Sequence, residues 1–144
     1  TARVLESTGR AVTALAGREL MAMVEPFLSV RVAPDQVQNQ LDADSVIRSI
    51  QIAAGLGATS AYTWLKLPVV PQMHRVLDST TLPSLLLGGD PSGDPGETYR
   101  QWADALTHPS AMGLVIGRAL LYPADGDVGR AVDAAVGLVH GGVA

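Results

Sequence analysis

Four short apolar runs, each handing over to a stretch of helical periodicity, restrict this chain of 144 residues to very few folds. The runs lie at about residues 20–25, 61–67, 83–88 and 112–117. Strands this apolar along their whole length are covered on both faces. Alternated with amphipathic helices, they build a parallel sheet.

The helical stretches have recognisable ends. Val4, Leu5, Ala11, Val12 and Leu15 recur at helical spacing ahead of Gly17. Leu20 to Val32 reads as a mostly apolar run whose buried strand closes at Glu25-Pro26. Asp42 or Asp44 caps a second helix with Val46, Ile47, Ile50 and Ala54 inward and a stop at Gly55 to Gly57. A short helical stretch around His74 to Leu77 follows the second strand. Asp94-Pro95-Gly96-Glu97 has the N-cap, the first-turn proline and the third-position glutamate of a capped helix start. Its apolar face is Tyr99, Trp102, Ala103 and Leu106, and Asp127 opens a last helix that stops at Gly141-Gly142.

The order is one helix, then strand and helix four times, within a single domain over residues 1–144. A (β/α)8 barrel needs about 200 residues or more, so four such units amount to half of one. A small open flavodoxin-like sheet is the alternative that fits the length. Glu25, Lys66, Gly88-Gly89 and Gly117-Arg118 all fall where an apolar strand ends. In parallel α/β folds that carboxyl-terminal edge is where chemistry is built.

Lys66 is the one lysine among ten basic residues; the other nine are arginines. It sits in the apolar segment Tyr62-Thr63-Trp64-Leu65-Lys66-Leu67-Pro68. Arginine cannot condense with a carbonyl because its guanidinium stays protonated, whereas a partly desolvated lysine supplies a neutral nucleophilic amine. Lys66 is therefore the candidate nucleophile. Glu25 ends the preceding strand, and neighbouring strands lie about 4.8 Å apart, so the two side chains can share one pocket. There Glu25 is placed to relay protons. Trp64 is expected to pack on the opposite side, against the covering helices.

Gly88-Gly89 and Gly117-Arg118, on successive strand ends, form a candidate phosphate site. Glycines let backbone N–H groups approach a phosphate closely, and the arginine adds a charge-assisted fork. Asp90 is read as a turn residue. His74, His108 and His140 have no ligand spacing and are read as structural. With no cysteine in the chain, disulfides and thiolate metal sites are excluded, and no metal or cofactor is expected. A net charge of −4 without any basic run argues against a nucleic-acid partner. No apolar stretch is long enough to span a bilayer, so a cytoplasmic protein without a membrane partner is the expectation.

At these residues the chain resembles the carboxyl-terminal half, strands five to eight, of a class I Schiff-base aldolase of the (β/α)8 type. The lysine-strand motif is matched by Trp64-Leu65-Lys66-Leu67-Pro68, and the fifth-strand glutamate by Glu25-Pro26. The seventh-strand glycines are matched by Gly88-Gly89, and the eighth-strand Gly-Arg by Gly117-Arg118. The groups it is most similar to are the deoxyribose-phosphate, fructose-bisphosphate and tagatose-bisphosphate aldolases, together with the aldolase-like proteins of actinobacterial inositol catabolism. Deoxyribose-phosphate aldolases carry a second lysine on the seventh strand. Here Leu85-Leu86-Leu87 stands in that place, which turns the comparison toward the ketose-bisphosphate type.

The resemblance implies a lyase that makes or breaks a C–C bond in a phosphorylated sugar through Lys66. Alternatives are a phosphosugar barrel of the isomerase or synthase kind, and a non-catalytic sugar-phosphate-binding half-domain. The resemblance also implies that four strands are supplied from elsewhere, by a missing amino-terminal half or by a second copy of the chain.

Overall fold

The four apolar runs do form one parallel sheet, and their spatial order follows the chain. The structure is a computed structural model and describes residues 2–88 and 94–141. Helix α1 (Ala2–Ala16) leads into β1 (Ala22–Val24), which pairs with β4 (Thr63–Pro68). Strand β4 pairs in turn with β5 (Ser84–Leu87), and β5 with β6 (Ala111–Val115), all in parallel. Between the strands run α2 (Ala43–Ala54), α3 (Met73–Leu77) and α4 (Pro95–Leu106). After β6 come a single turn, α5 (Arg118–Leu121), and α6 (Val128–His140).

The helix ends obey the chemistry of their sequences. Asp42 caps α2 by accepting the Ser45 N–H, and Asp94 caps α4 through the N–H groups of Gly96 and Glu97. Asp127 accepts from the Arg130 N–H at the start of α6, and Gly141 closes that helix in the left-handed conformation. Each cap satisfies donors or acceptors that the helix itself leaves without partners.

The core lies on one side of the sheet. Leu65, Leu67 and Leu86 are fully buried there against Val46, Ile50 and Ala53 of α2, Met73, Val76 and Leu77 of α3, and Ala105 of α4. Each large side chain among them contributes about 1.5–3 kcal/mol relative to exposure. Strand residues alternate faces, so Met23, Trp64, Lys66, Leu85 and Leu87 belong to the opposite side, outside that core. A doubly wound sheet would cover this face with helices as well. Here it stays partly open, and the sheet order β1-β4-β5-β6 rises steadily rather than reversing at a switch point.

One segment departs from the sequence reading. The run from Leu20 to Val32 contains only three paired residues of the main sheet, Ala22 to Val24. Pro26 has no N–H to continue the ladder. The chain instead forms an exposed antiparallel hairpin from β2 (Ser29–Ala33) and β3 (Gln36–Asn39). Val30, Arg31 and Val32 already alternate as a half-exposed strand does, a pattern hidden inside the apolar count.

Between β5 and β6 the register shifts by one residue, and Gly113 there takes φ +150°. Glycine adopts that conformation without the strain a side chain would bring.

Candidate functional site

The register of the sheet assembles the site. Val24 is the partner of Leu65, so one step further along both strands Glu25 stands beside Lys66. Lys66 Nζ donates to Glu25 Oε2 at 3.1 Å. The pair is partly open: about a quarter of the Lys66 side chain and two-fifths of the Glu25 side chain remain exposed. Pro26 follows the carboxylate, and its carbonyl accepts a hydrogen bond from Ser49 Oγ of α2, which ties the end of β1 to the helix layer.

Gly88 leaves β5 and Gly117 leaves β6 at the same edge of the sheet, beyond Leu87 and Val115, which are paired. A side chain at Gly88 would place its Cβ 2.8 Å from Ile116 Cγ2, so packing between the two strand ends already demands glycine there. Among the described residues, no atom outside its own chain neighbours lies within 4 Å of the position a Cβ would take at Gly117. Gly117 caps α5, and Arg118 is the exposed first residue of that turn. Gly89 and Asp90 lie outside the described residues. The structure thus brings Lys66 and Glu25 into contact and puts Gly88, Gly117 and Arg118 on the edge they share.

Trp64 is a correction. It precedes Lys66 by two residues and therefore shares its face of β4, away from the helices. Thr63, Leu65 and Leu67 are buried on the helix side, while Trp64 and Lys66 are half-buried on the other. The signal was present in the sequence, since side chains two apart on a strand always point the same way.

The histidines take no part in this edge. His108 Nε2 lies 3.0 Å from Asp78 Oδ1, and its Nδ1 accepts the N–H of Ser110, just before β6 begins. His74 Nε2 lies 3.1 Å from the Asp104 carbonyl, near the end of α4. Both histidines therefore hold α3 against the far end of α4, toward the start of the strands. Among the described residues no group of His, Asp and Glu is arranged to hold a metal ion.

A cavity of about 330 Å³ opens behind Gly88, between α4, α5 and α6, with Tyr99, Trp102 and Arg130 in its wall. Lys66 and Glu25 do not line it. Among the described residues no helix is long and apolar enough to cross a membrane.

The parallel sheet with its covering helices has solved counterparts. An archaeal fructose 1,6-bisphosphate aldolase superposes with a TM-score of 0.76 at 19% identity, over 97% of this chain and 53% of its own. A Schiff-base-forming fructose-1,6-bisphosphate aldolase gives 0.74 at 19% identity, over 95% and 52%. At that identity the likeness is one of fold. The crystal structure of Cgl0159 from Corynebacterium glutamicum is 53% identical, with a TM-score of 0.92, over 98% of this chain and 47% of that protein. The chain therefore spans about half the length of the solved proteins it matches. No curated protein matches it. The Cgl0159-like family model matches residues 1–136, and the chain belongs to the Cgl0159-like family.

Proposed function

We propose that this chain is the carboxyl-terminal half, strands five to eight, of a (β/α)8 barrel, and that the whole is a class I aldolase-type lyase acting on a phosphorylated sugar. The observation that carries the reading is the 3.1 Å contact between Lys66 and Glu25 at the carboxyl edge of a parallel sheet. The likeness of fold to a Schiff-base-forming aldolase supports it.

In this reading Glu25 takes the proton from the Lys66 ammonium, and the neutral amine attacks the ketone carbon of the substrate. Glu25 returns that proton to the carbinolamine hydroxyl, water leaves, and an iminium remains. A base removes the proton of the hydroxyl on the second carbon away from the iminium. The bond from that carbon to the carbon next to the iminium breaks, its electron pair moves into the iminium to give an enamine, and an aldehyde departs. Protonation and hydrolysis of the enamine release the ketone and restore Lys66. The second base belongs to strands one to four, and the backbone at Gly88, Gly89 and Gly117, with Arg118, holds a phosphate of the sugar.

The half-barrel part of the proposal draws on the flanks of the sheet. Val4, Leu5, Leu20, Met21 and Met23 are exposed at the β1 side, and Met112, Val132, Val136 and Val139 at the β6 side. Apolar surface at both open edges is what four further strands with their helices would cover.

A second reading starts from the same ion pair. A lysine held as an ammonium by a carboxylate is an electrostatic group, and a phosphosugar isomerase or synthase, or a binding half-domain, needs nothing more. Turnover separates the two. The full-length protein is expected to release aldehyde from ketose phosphates such as fructose 1,6-bisphosphate, and Lys66→Arg is expected to abolish this. Activity retained in Lys66→Arg would favour the electrostatic role.

A further inference from the structure

The Lys66–Glu25 pair stands on a second pair. Residues two apart on a strand share a face, separated by about 6.6 Å along it. Trp64 is thus below Lys66 and Met23 below Glu25, and the register makes Met23 and Trp64 direct neighbours. Neither belongs to the buried core on the helix side, and no described residue accepts a hydrogen bond from the Trp64 indole N–H. Such a tryptophan lies on the Lys66 face of the sheet, outside the core under the helices. Its ring is wide and rigid, with two side-chain torsions, while Met23 is flexible enough to fit against it.

We propose that Trp64 is a positioning residue for Lys66: with Met23 it forms an apolar floor beneath the amine. The inference rests on the Schiff-base reading above. Lysine has a flexible four-carbon stem, and an ammonium or amine at its tip samples many positions unless something limits it. A floor toward the start of the strands excludes the stem and water from below. Nζ is then left the direction in which Glu25 and the substrate lie.

The test uses the full-length protein with Trp64→Phe, Trp64→Ala and Trp64→Thr. Dihydroxyacetone phosphate and borohydride are the probe, and the adduct on Lys66 is quantified by peptide mass. Phenylalanine is expected to keep the trapping rate within about twofold, and alanine and threonine to lower it about tenfold or more. Threonine is included because it favours strands, so that a loss is not a loss of fold. Folded alanine and threonine variants that trap at the wild-type rate overturn the proposal, as does an equal loss in Trp64→Phe.

A second readout works without chemistry. The indole N–H resonance of Trp64, assigned with Trp64→Phe, is expected to move in Lys66→Met while that of buried Trp102 stays. An unmoved Trp64 signal overturns the floor even where the alanine and threonine variants fail to fold. A moving signal in a protein whose wild type forms no adduct instead removes the Schiff-base reading alone.

Discussion

Lys66 Nζ lies 3.1 Å from Glu25 Oε2 across 41 residues of sequence, joined by the parallel pairing of two strands. Both groups retain access to solvent, so the pair itself contributes only about 0–1 kcal/mol to stability. Its value in the proposed reaction is chemical: an amine and a proton carrier in hydrogen-bond reach of one another.

That separation of roles predicts the behaviour of Glu25→Gln. The amide keeps the shape and loses the charge. Turnover of a ketose phosphate is expected to fall about 10²–10⁴-fold, as for loss of a general acid–base group. The melting temperature and the Michaelis constant should change little, and steady-state kinetics with a thermal melt checks both.

Thr63, three residues before Lys66, is buried on the helix side, and its hydroxyl has no partner among the described residues. A buried hydroxyl left unpaired costs about 1–3 kcal/mol. Thr63→Val keeps the branched shape and removes that cost, so it is expected to stabilise the protein by about 1 kcal/mol. Chemical denaturation of the two proteins measures the difference.

The cap of α2 makes part of the stability dependent on pH. The Ser45 N–H holds the Asp42 carboxyl below its ordinary value. A carboxyl lowered in the folded state binds protons more readily when unfolded. Its contribution is therefore present above the ordinary carboxylate value and lost as pH falls through the folded one. Melting temperatures recorded between about pH 6 and 3 should fall more steeply for the wild type than for Asp42→Asn.

If the chain is the half-barrel proposed above, residues 1–144 expressed alone should not turn over ketose phosphates. The flanks carrying Met21 and Met23 on one side and Met112 and Val136 on the other leave apolar surface open at both sheet edges. Light scattering is expected to show self-association, with turnover appearing when the proposed strands one to four, from an amino-terminal half or a second copy, complete the barrel. A well-folded monomer that cleaves ketose phosphates at an enzymatic rate would favour a self-contained sheet.

Much of this was legible in the sequence, because the signals were local. Asp42, Asp94 and Asp127 announce their helices by chemistry confined to one turn. The strand around Leu65 and Leu67 announces itself by an apolar run long enough to be buried. The hairpin was hidden because Val30 and Val32 joined the apolar count of the strand before Pro26, and only long-range pairing decides where one ladder ends. Trp64 shares the face of Lys66 because the two are two residues apart on β4, which overrides the expectation that it packs on the helices. The contact of Glu25 with Lys66 was inferable once the two strands were taken as neighbours. The packing of Ile116 on Gly88 was not, since it depends on how two strand ends approach each other in space.

An imine between Lys66 and a ketose phosphate would be trapped irreversibly by borohydride reduction. The full-length protein is incubated with fructose 1,6-bisphosphate or dihydroxyacetone phosphate, treated with borohydride, digested and weighed peptide by peptide. A reduced sugar-phosphate adduct is expected on the peptide carrying Lys66, dependent on substrate and absent from Lys66→Arg. Turnover of the same ketose phosphate with no adduct on Lys66 would contradict the Schiff-base reading.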